Sequence, residues 1–182
     1  MIRTALAFAL AMTLLLPGTV IAKDLTGPAL ITVTGKVGTP NRNGLDPFMD
    51  AYFNFQQKAF SAAHAFTFAD LKTLPQHTVT ANAEDWPAPV RASGPLLADV
   101  MAAAGVSADA TLAFGAIDGY TVELDQAARD GQPWILAIEA GGKPLALGGR
   151  GPAWLLHETA EAAASSDEEA RWVWSIIMIE AK

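Results

Sequence analysis

The chain has 182 residues, a formal net charge of −7 at pH 7 and no cysteine. The lack of thiols excludes disulfides, iron–sulfur clusters, cysteine-ligated zinc and thiolate nucleophiles. Nucleic-acid binding depends on arginine and lysine contacts to phosphates, and this acidic chain offers no basic stripe for that purpose.

The N-terminal 22 residues have the pattern of an export signal. Arg3 supplies a positive charge, and the apolar run over 5–16 is shorter than the ~20 residues that cross a bilayer. Residues 20–22 (Val-Ile-Ala) then offer a cleavage site after Ala22. We expect a periplasmic protein with a signal peptide over 1–22 and a single domain over 23–182. The alternative is an uncleaved anchor.

The first half of the mature chain predicts short elements of both kinds. Thr67 and Asp70 have the spacing of a capping box, and Pro75 ends the short helix that they begin. Ser93-Gly94-Pro95 predicts the start of a second helix with proline at its first position. Leu96, Leu97, Val100, Met101 and Ala104 form its apolar stripe, and Gly105 ends it. Alternating β-branched residues predict strands over 31–37 and 76–83. A loop is predicted over 38–46. The aromatic-rich segment Phe48–Phe60 fits either a helix or an irregular insertion packed on the core.

The second half predicts more strands and a small helix. Asp125 has the character of a helix cap, and 158–169 is an acidic surface helix or loop. Strands are predicted over 111–116, 120–124, 133–140 and 151–156, and over the C-terminal segment 171–182. The sum is an α+β fold with mixed β-sheets and short helices between the strands.

The C-terminal segment carries the most informative side chains. On a strand, Trp172 and Trp174 would share one face, because side chains alternate with period two. Two tryptophans beside Arg171 form an aromatic and polar wall that suits a planar ring ligand. The alternatives are that the tryptophans are core residues and that Arg171 forms a surface ion pair with the acidic run 167–169.

Several phrases in a fixed order resemble the sulfite-oxidase (molybdopterin-binding) fold family. They are residues 68–71 (Phe-Ala-Asp-Leu), 90–97 (Val-Arg-Ala-Ser-Gly-Pro-Leu-Leu), 118–123 (Asp-Gly-Tyr-Thr-Val-Glu), 151–156 (Gly-Pro-Ala-Trp-Leu-Leu) and 171–174 (Arg-Trp-Val-Trp). The resemblance is to a small exported branch that includes periplasmic pterin-binding proteins reporting to membrane receptors. Catalytic members of the family hold molybdenum through a cysteine, at about the place of residues 80–83 here.

The resemblance implies a non-catalytic pterin-binding protein that presents its ligand to a membrane-bound signalling receptor. Molybdenum is not expected, and the pterin is a ligand rather than a covalent cofactor. The rivals are a molybdopterin-dependent oxidoreductase without a cysteine ligand and an interaction domain with a vestigial cleft.

Candidate ligand-binding residues follow from pterin chemistry. A carboxylate suits the amino edge of a pterin, and Asp118 in a glycine-flanked turn near Tyr120 is the first candidate, with Asp85 second. The alternative for Asp118 is a turn residue that satisfies its own backbone. Arg91 and Arg150 could face the same cleft or be solvated. The three histidines lack metal-binding spacing, so no metal site is predicted.

Overall fold

The computed structural model describes residues 25–159 and 162–182. The predicted signal over 1–22 lies outside the described residues. None of the helices in the described part of the chain is long and apolar enough to cross a membrane. The strands of this part are β1 (Ala29–Gly35), β2 (Arg42–Asn43), β3 (Ala62–Thr67), β4 (Gln76–Ala81), β5 (Val90–Pro95), β6 (Leu112–Ala116), β7 (Thr121–Leu124), β8 (Ile135–Ala137), β9 (Glu139–Ala140), β10 (Lys143–Pro144), β11 (Trp154–Leu156) and β12 (Ile176–Ala181). The helices are α1 (Ala51–Phe55), α2 (Phe68–Thr73), α3 (Leu97–Ala103), α4 (Gln126–Asp130) and α5 (Ser166–Glu169).

Three sheets organise these strands. The largest has the order β2-β3-β1-β12-β6-β7, the second has the order β10-β9-β5-β4, and β11 pairs with β8 in the third. The central pair β1 and β12 is parallel, whereas the other pairs in the large sheet are antiparallel. This arrangement confirms the predicted α+β class with mixed sheets and short helices.

The core lies where the sheets and α3 meet, and β8 is at its centre. Leu136 on β8 is fully buried, as are Phe114 on β6 and Leu155 on β11. Gly94 on β5 makes this packing possible, because a Cβ placed there would lie 2.0 Å from the carbonyl oxygen of Leu136. The glycine is therefore required by the close approach of two backbones.

Local signals were sound predictors of two helices. Thr67 accepts from the Asp70 backbone N–H while Asp70 accepts from that of Thr67, which completes the predicted capping box of α2. Asp125 accepts from the Ala128 backbone N–H and caps α4. Four members of the predicted apolar stripe of α3 are buried, namely Leu97, Val100, Met101 and Ala104, whereas Leu96 is half-buried.

The predicted start of the second helix is wrong. Residues 93–95 belong to strand β5, and α3 begins at Leu97 with Leu96 as its N-cap. Ladder pairing with β4 holds Ser93 and Gly94 in extended backbone, and this pairing outweighs the local helix signal. The predicted strand over 133–140 is also divided, between β8 and β9 in two different sheets.

The C-terminal strand is shorter than predicted. It begins at Ile176, so Trp172 and Trp174 precede it and do not share a strand face. Ser175 has φ of 54°, which interrupts any extended alternation, and its backbone N–H donates to the Arg150 carbonyl. The two rings also differ in burial, because Trp172 is 2% exposed and Trp174 is 43% exposed.

The segment Phe48–Phe60 combines the two predicted alternatives. Its helix, α1, covers five residues, and the surrounding backbone is irregular. Phe48 and Phe55 are 85% and 81% exposed, so the segment does not pack all of its aromatic rings on the core. The Tyr52 hydroxyl donates to the Ile117 carbonyl and ties α1 to the turn after β6.

Candidate ligand-binding cleft

A cleft of about 330 Å³ opens between the β6–β7 turn and α5. This volume lies at the lower end of the ~300–1,000 Å³ typical of small-molecule sites. Its lining combines tryptophan and tyrosine rings with carboxylates: Ala116, Asp118, Tyr120, Ser166, Glu169, Ala170, Trp172 and Trp174.

One wall is the tight turn that joins β6 to β7. Gly119 has φ of 90°, a conformation that favours glycine, and its backbone N–H donates to the Ala116 carbonyl. Oδ1 of Asp118 accepts from the Tyr120 backbone N–H at 2.9 Å, as expected for a turn aspartate. This contact occupies one carboxylate oxygen and fixes the direction of the side chain.

The opposite wall is the short helix α5. The Tyr120 hydroxyl donates to the Ala170 carbonyl at 2.8 Å, so the two walls are tied directly to each other. Oε1 of Glu169 accepts from Nε1 of Trp86 at 2.5 Å. Glu169 is half-buried and is held with its carboxylate at the cleft.

Tryptophans form the floor and the rim. The Trp172 ring packs edge-on against Trp86, with centroids 5.6 Å apart, and Trp86 contacts Trp154 at 5.1 Å. Nε1 of Trp172 is buried and has no hydrogen-bond partner in the described part of the chain. Trp174 is partly exposed and therefore has ring surface left to contact a ligand.

Arg150 lies next to the cleft but is not among its lining residues. Its guanidinium is 4.4 Å from the Trp154 ring centroid and 5.1 Å from that of Trp86, within the range of cation–π contacts. Burial lowers the pKa of Arg150, and the charge of Glu169 opposes this shift. Arg150 therefore supports the rings and the carboxylate from outside the cleft.

The other two predicted arginines lie elsewhere. Arg171 is exposed and faces a separate cavity of about 410 Å³ that His157 and Glu168 also line. It makes no ion pair within the described residues. Arg91 is on β5, paired with Thr80 in the four-stranded sheet, and is not part of the cleft wall.

The structure thus brings together four of the seven predicted site residues: Asp118, Tyr120, Trp172 and Trp174. Asp85, the second acidic candidate, does not line the cleft. Sequence reasoning missed Glu169 and its anchor Trp86. The signal for Glu169 was weak, because it is one of several acids in the run before Arg171.

The cleft offers ring surface and acceptor oxygens to a ligand. No group of three histidine, aspartate or glutamate side chains in the described residues could hold a metal ion. The rings offer stacking surface, and the second oxygens of Asp118 and Glu169 have no hydrogen-bond partner within the described residues. A flat molecule with N–H donors on one edge would match both features.

Comparisons with known proteins support the fold. No protein-family model matches the chain, and no curated protein matches it. Among solved structures, the chain is similar to the sulfane dehydrogenase SoxCD from Paracoccus pantotrophus, with a TM-score of 0.54 and 18% sequence identity. The match covers 88% of this chain but 40% of that chain, so the present chain spans less than half of the enzyme's length. The likeness establishes a sulfite-oxidase-like α+β fold.

Proposed function

We propose that this chain is a non-catalytic binding protein for a pterin or a similar small heterocycle. The observation that carries the proposal is the cleft in which Trp172, Trp174 and Tyr120 lie beside the Asp118 and Glu169 carboxylates. Aromatic stacking adds roughly 0.5–1.5 kcal/mol beyond area burial. Hydrogen bonds to charged groups contribute about 1.5–3 kcal/mol each.

The rival function is a molybdopterin-dependent oxidoreductase. The residues present do not fit that cofactor, because the chain contains no cysteine to bind molybdenum as a thiolate. Molybdopterin carries an anionic phosphate group, which arginine side chains bind well. The cleft is lined by two carboxylates and by neither Arg150 nor Arg171, so it does not suit that group. A shared fold does not carry a shared activity.

Export and presentation to a membrane-bound receptor complete the proposal. Export is inferred from the pattern over residues 1–22, and the receptor is inferred from the resemblance to periplasmic pterin-binding proteins. Phe48, Met49 and Phe55 give a partner exposed apolar surface to contact. The intact mass of protein secreted by its own host tests the expected cleavage after Ala22, and retention of residues 1–22 would contradict it.

Calorimetric titration of neopterin or a tetrahydropterin tests the binding function. Asp118→Asn and Trp174→Ala should each weaken binding at least ~10-fold, a change of about 1.4 kcal/mol. Asp85→Asn is the matched control, because it removes an exposed carboxylate outside the cleft and should leave affinity unchanged. Circular dichroism confirms that each variant is folded. Absence of binding by the wild-type protein at millimolar ligand would refute the pterin function.

A further inference from the structure

Two carboxylates face the proposed ligand from opposite walls of the cleft. Asp118 comes from the β6–β7 turn and Glu169 from α5, and neither forms an ion pair within the described residues. Each is held by one oxygen: Oδ1 of Asp118 by the Tyr120 N–H and Oε1 of Glu169 by Trp86. One acceptor oxygen on each side chain is therefore left for a ligand donor.

A donor without a partner accompanies these acceptors. Trp172 is 2% exposed, and its Nε1 has no hydrogen-bond partner in the described part of the chain. Trp172 lines the cleft, and buried polar atoms normally have partners, so this unpaired N–H is available as a donor to a bound ligand. An indole N–H only donates, so the ligand atom that meets it must be an acceptor.

We propose that Asp118, Glu169 and Trp172 select heterocycles that carry an amino group and a ring carbonyl on either side of one ring nitrogen, and that Glu169 is the specificity-determining residue. This inference rests on the proposed pterin-binding function and adds a ligand class to it. Replacing the amino group with a carbonyl would place an oxygen against carboxylate oxygens. A site built to accept hydrogen bonds from a ligand rejects the analogue that lacks the donors, because its polar groups are then left unpaired.

A matched pair of ligands separates this selectivity from binding itself. Pterin (2-amino-4-oxopteridine) and lumazine (2,4-dioxopteridine) have the same ring system and differ in the group at position 2. Calorimetry should give wild-type protein at least ~10-fold higher affinity for pterin than for lumazine, as expected from the loss of one good charged hydrogen bond.

Glu169→Gln provides the second measurement. Glutamine keeps an oxygen for Trp86 but replaces a carboxylate acceptor with an amide, whose NH₂ group can donate to lumazine. In this variant the ratio of the affinities for pterin and lumazine should fall to less than about threefold, which is half a decade or less. Asp167→Asn on the same helix is the control, because Asp167 is not part of the cleft wall and the preference should persist.

The outcomes are distinguishable. Equal affinity of the wild-type protein for pterin and lumazine would overturn the selectivity while leaving the binding function intact. An unchanged preference in folded Glu169→Gln would overturn the role of Glu169. Failure of both ligands to bind the wild-type protein would overturn the proposed function and this inference together.

Discussion

Nε1 of Trp86 donates a hydrogen bond to Oε1 of Glu169 across 2.5 Å, although the two residues are 83 positions apart in the chain. The same indole packs against Trp172 on the cleft floor and lies under Arg150. The loop after β4 therefore fixes the position of a carboxylate on α5. The position of the Glu169 carboxylate in the cleft therefore depends on a tertiary contact.

Trp86→Phe should weaken pterin binding about fivefold, corresponding to about 1 kcal/mol. Phenylalanine retains much of the ring packing but cannot donate to Glu169, so the carboxylate loses its anchor. Calorimetry on the folded variant gives the value. Trp134→Phe is the matched control, because Nε1 of Trp134 donates to the Ala128 carbonyl outside the cleft. This control should leave the affinity for pterin unchanged. Equal losses of affinity in the two variants would contradict the role of Trp86.

Glu168→Gln should destabilise the fold by about 1 kcal/mol, the upper end for a partly exposed ion pair. Nδ1 of the buried His157 lies 2.9 Å from the Glu158 carbonyl oxygen, and Nε2 lies 3.1 Å from Oε1 of Glu168. The His157 ring is therefore held at both of its nitrogens. Urea denaturation measures the change, with Asp167→Asn as the control on the same helix. Equal stability of the two variants would contradict a role for this pair.

The turn before α1 should respond to acid through Asp46. The Met49 and Phe48 backbone N–H groups donate to this carboxylate and lower its pKa below the ordinary value of 3.8. A carboxylate whose pKa is lowered by folding stabilises the folded state at pH values above its unfolded-state pKa. This contribution is lost as the pH falls through the folded-state pKa. The amide resonances of Phe48 and Met49 should therefore titrate with a midpoint below 3.8 in wild-type protein.

The same titration in Asp46→Asn is the control. Asparagine has no ionisable group, so the two amide resonances should lose the acid step while the rest of the spectrum is unchanged. A midpoint at or above 3.8 in the wild-type protein would contradict the carboxylate contacts.

Gly94→Ala should destabilise the fold by about 2–3 kcal/mol, as overpacking in a tight core does. The added Cβ would lie 2.0 Å from the Leu136 carbonyl oxygen, so strands β5 and β8 must move apart. Gly131→Ala has open space around the new Cβ and should be neutral or up to about 1 kcal/mol more stable. Denaturant unfolding compares the two, and a neutral Gly94→Ala would show that β5 and β8 pack more loosely.

Protein purified from its own host should contain molybdenum far below one atom per chain. The reason is chemical, because the chain offers no thiolate to the metal. Elemental analysis makes the measurement, and about one molybdenum per chain would support the oxidoreductase rival.

Local chemistry in the sequence determined several features of this protein. The sequence predicts features that depend on residues within one or two turns of each other. These are the capping box of Thr67 and Asp70, the Asp125 cap and the apolar stripe of α3. The tight Asp118–Tyr120 turn is local in the same sense. The absence of cysteine excluded thiolate chemistry without any structure.

Long-range pairing decided the rest. Strands β3 and β5 have weak local signals and exist because β1, β2 and β4 pair with them. The positive φ of Ser175 separates the two C-terminal tryptophans from the extended backbone of β12, and tertiary packing buries Trp172 while leaving Trp174 partly exposed. Arg150 and Arg171 face different surroundings, and Glu169 is selected from an acidic run by its contact with Trp86. Sequence spacing carries no information on which distant side chains meet, because those contacts depend on how the three sheets pack.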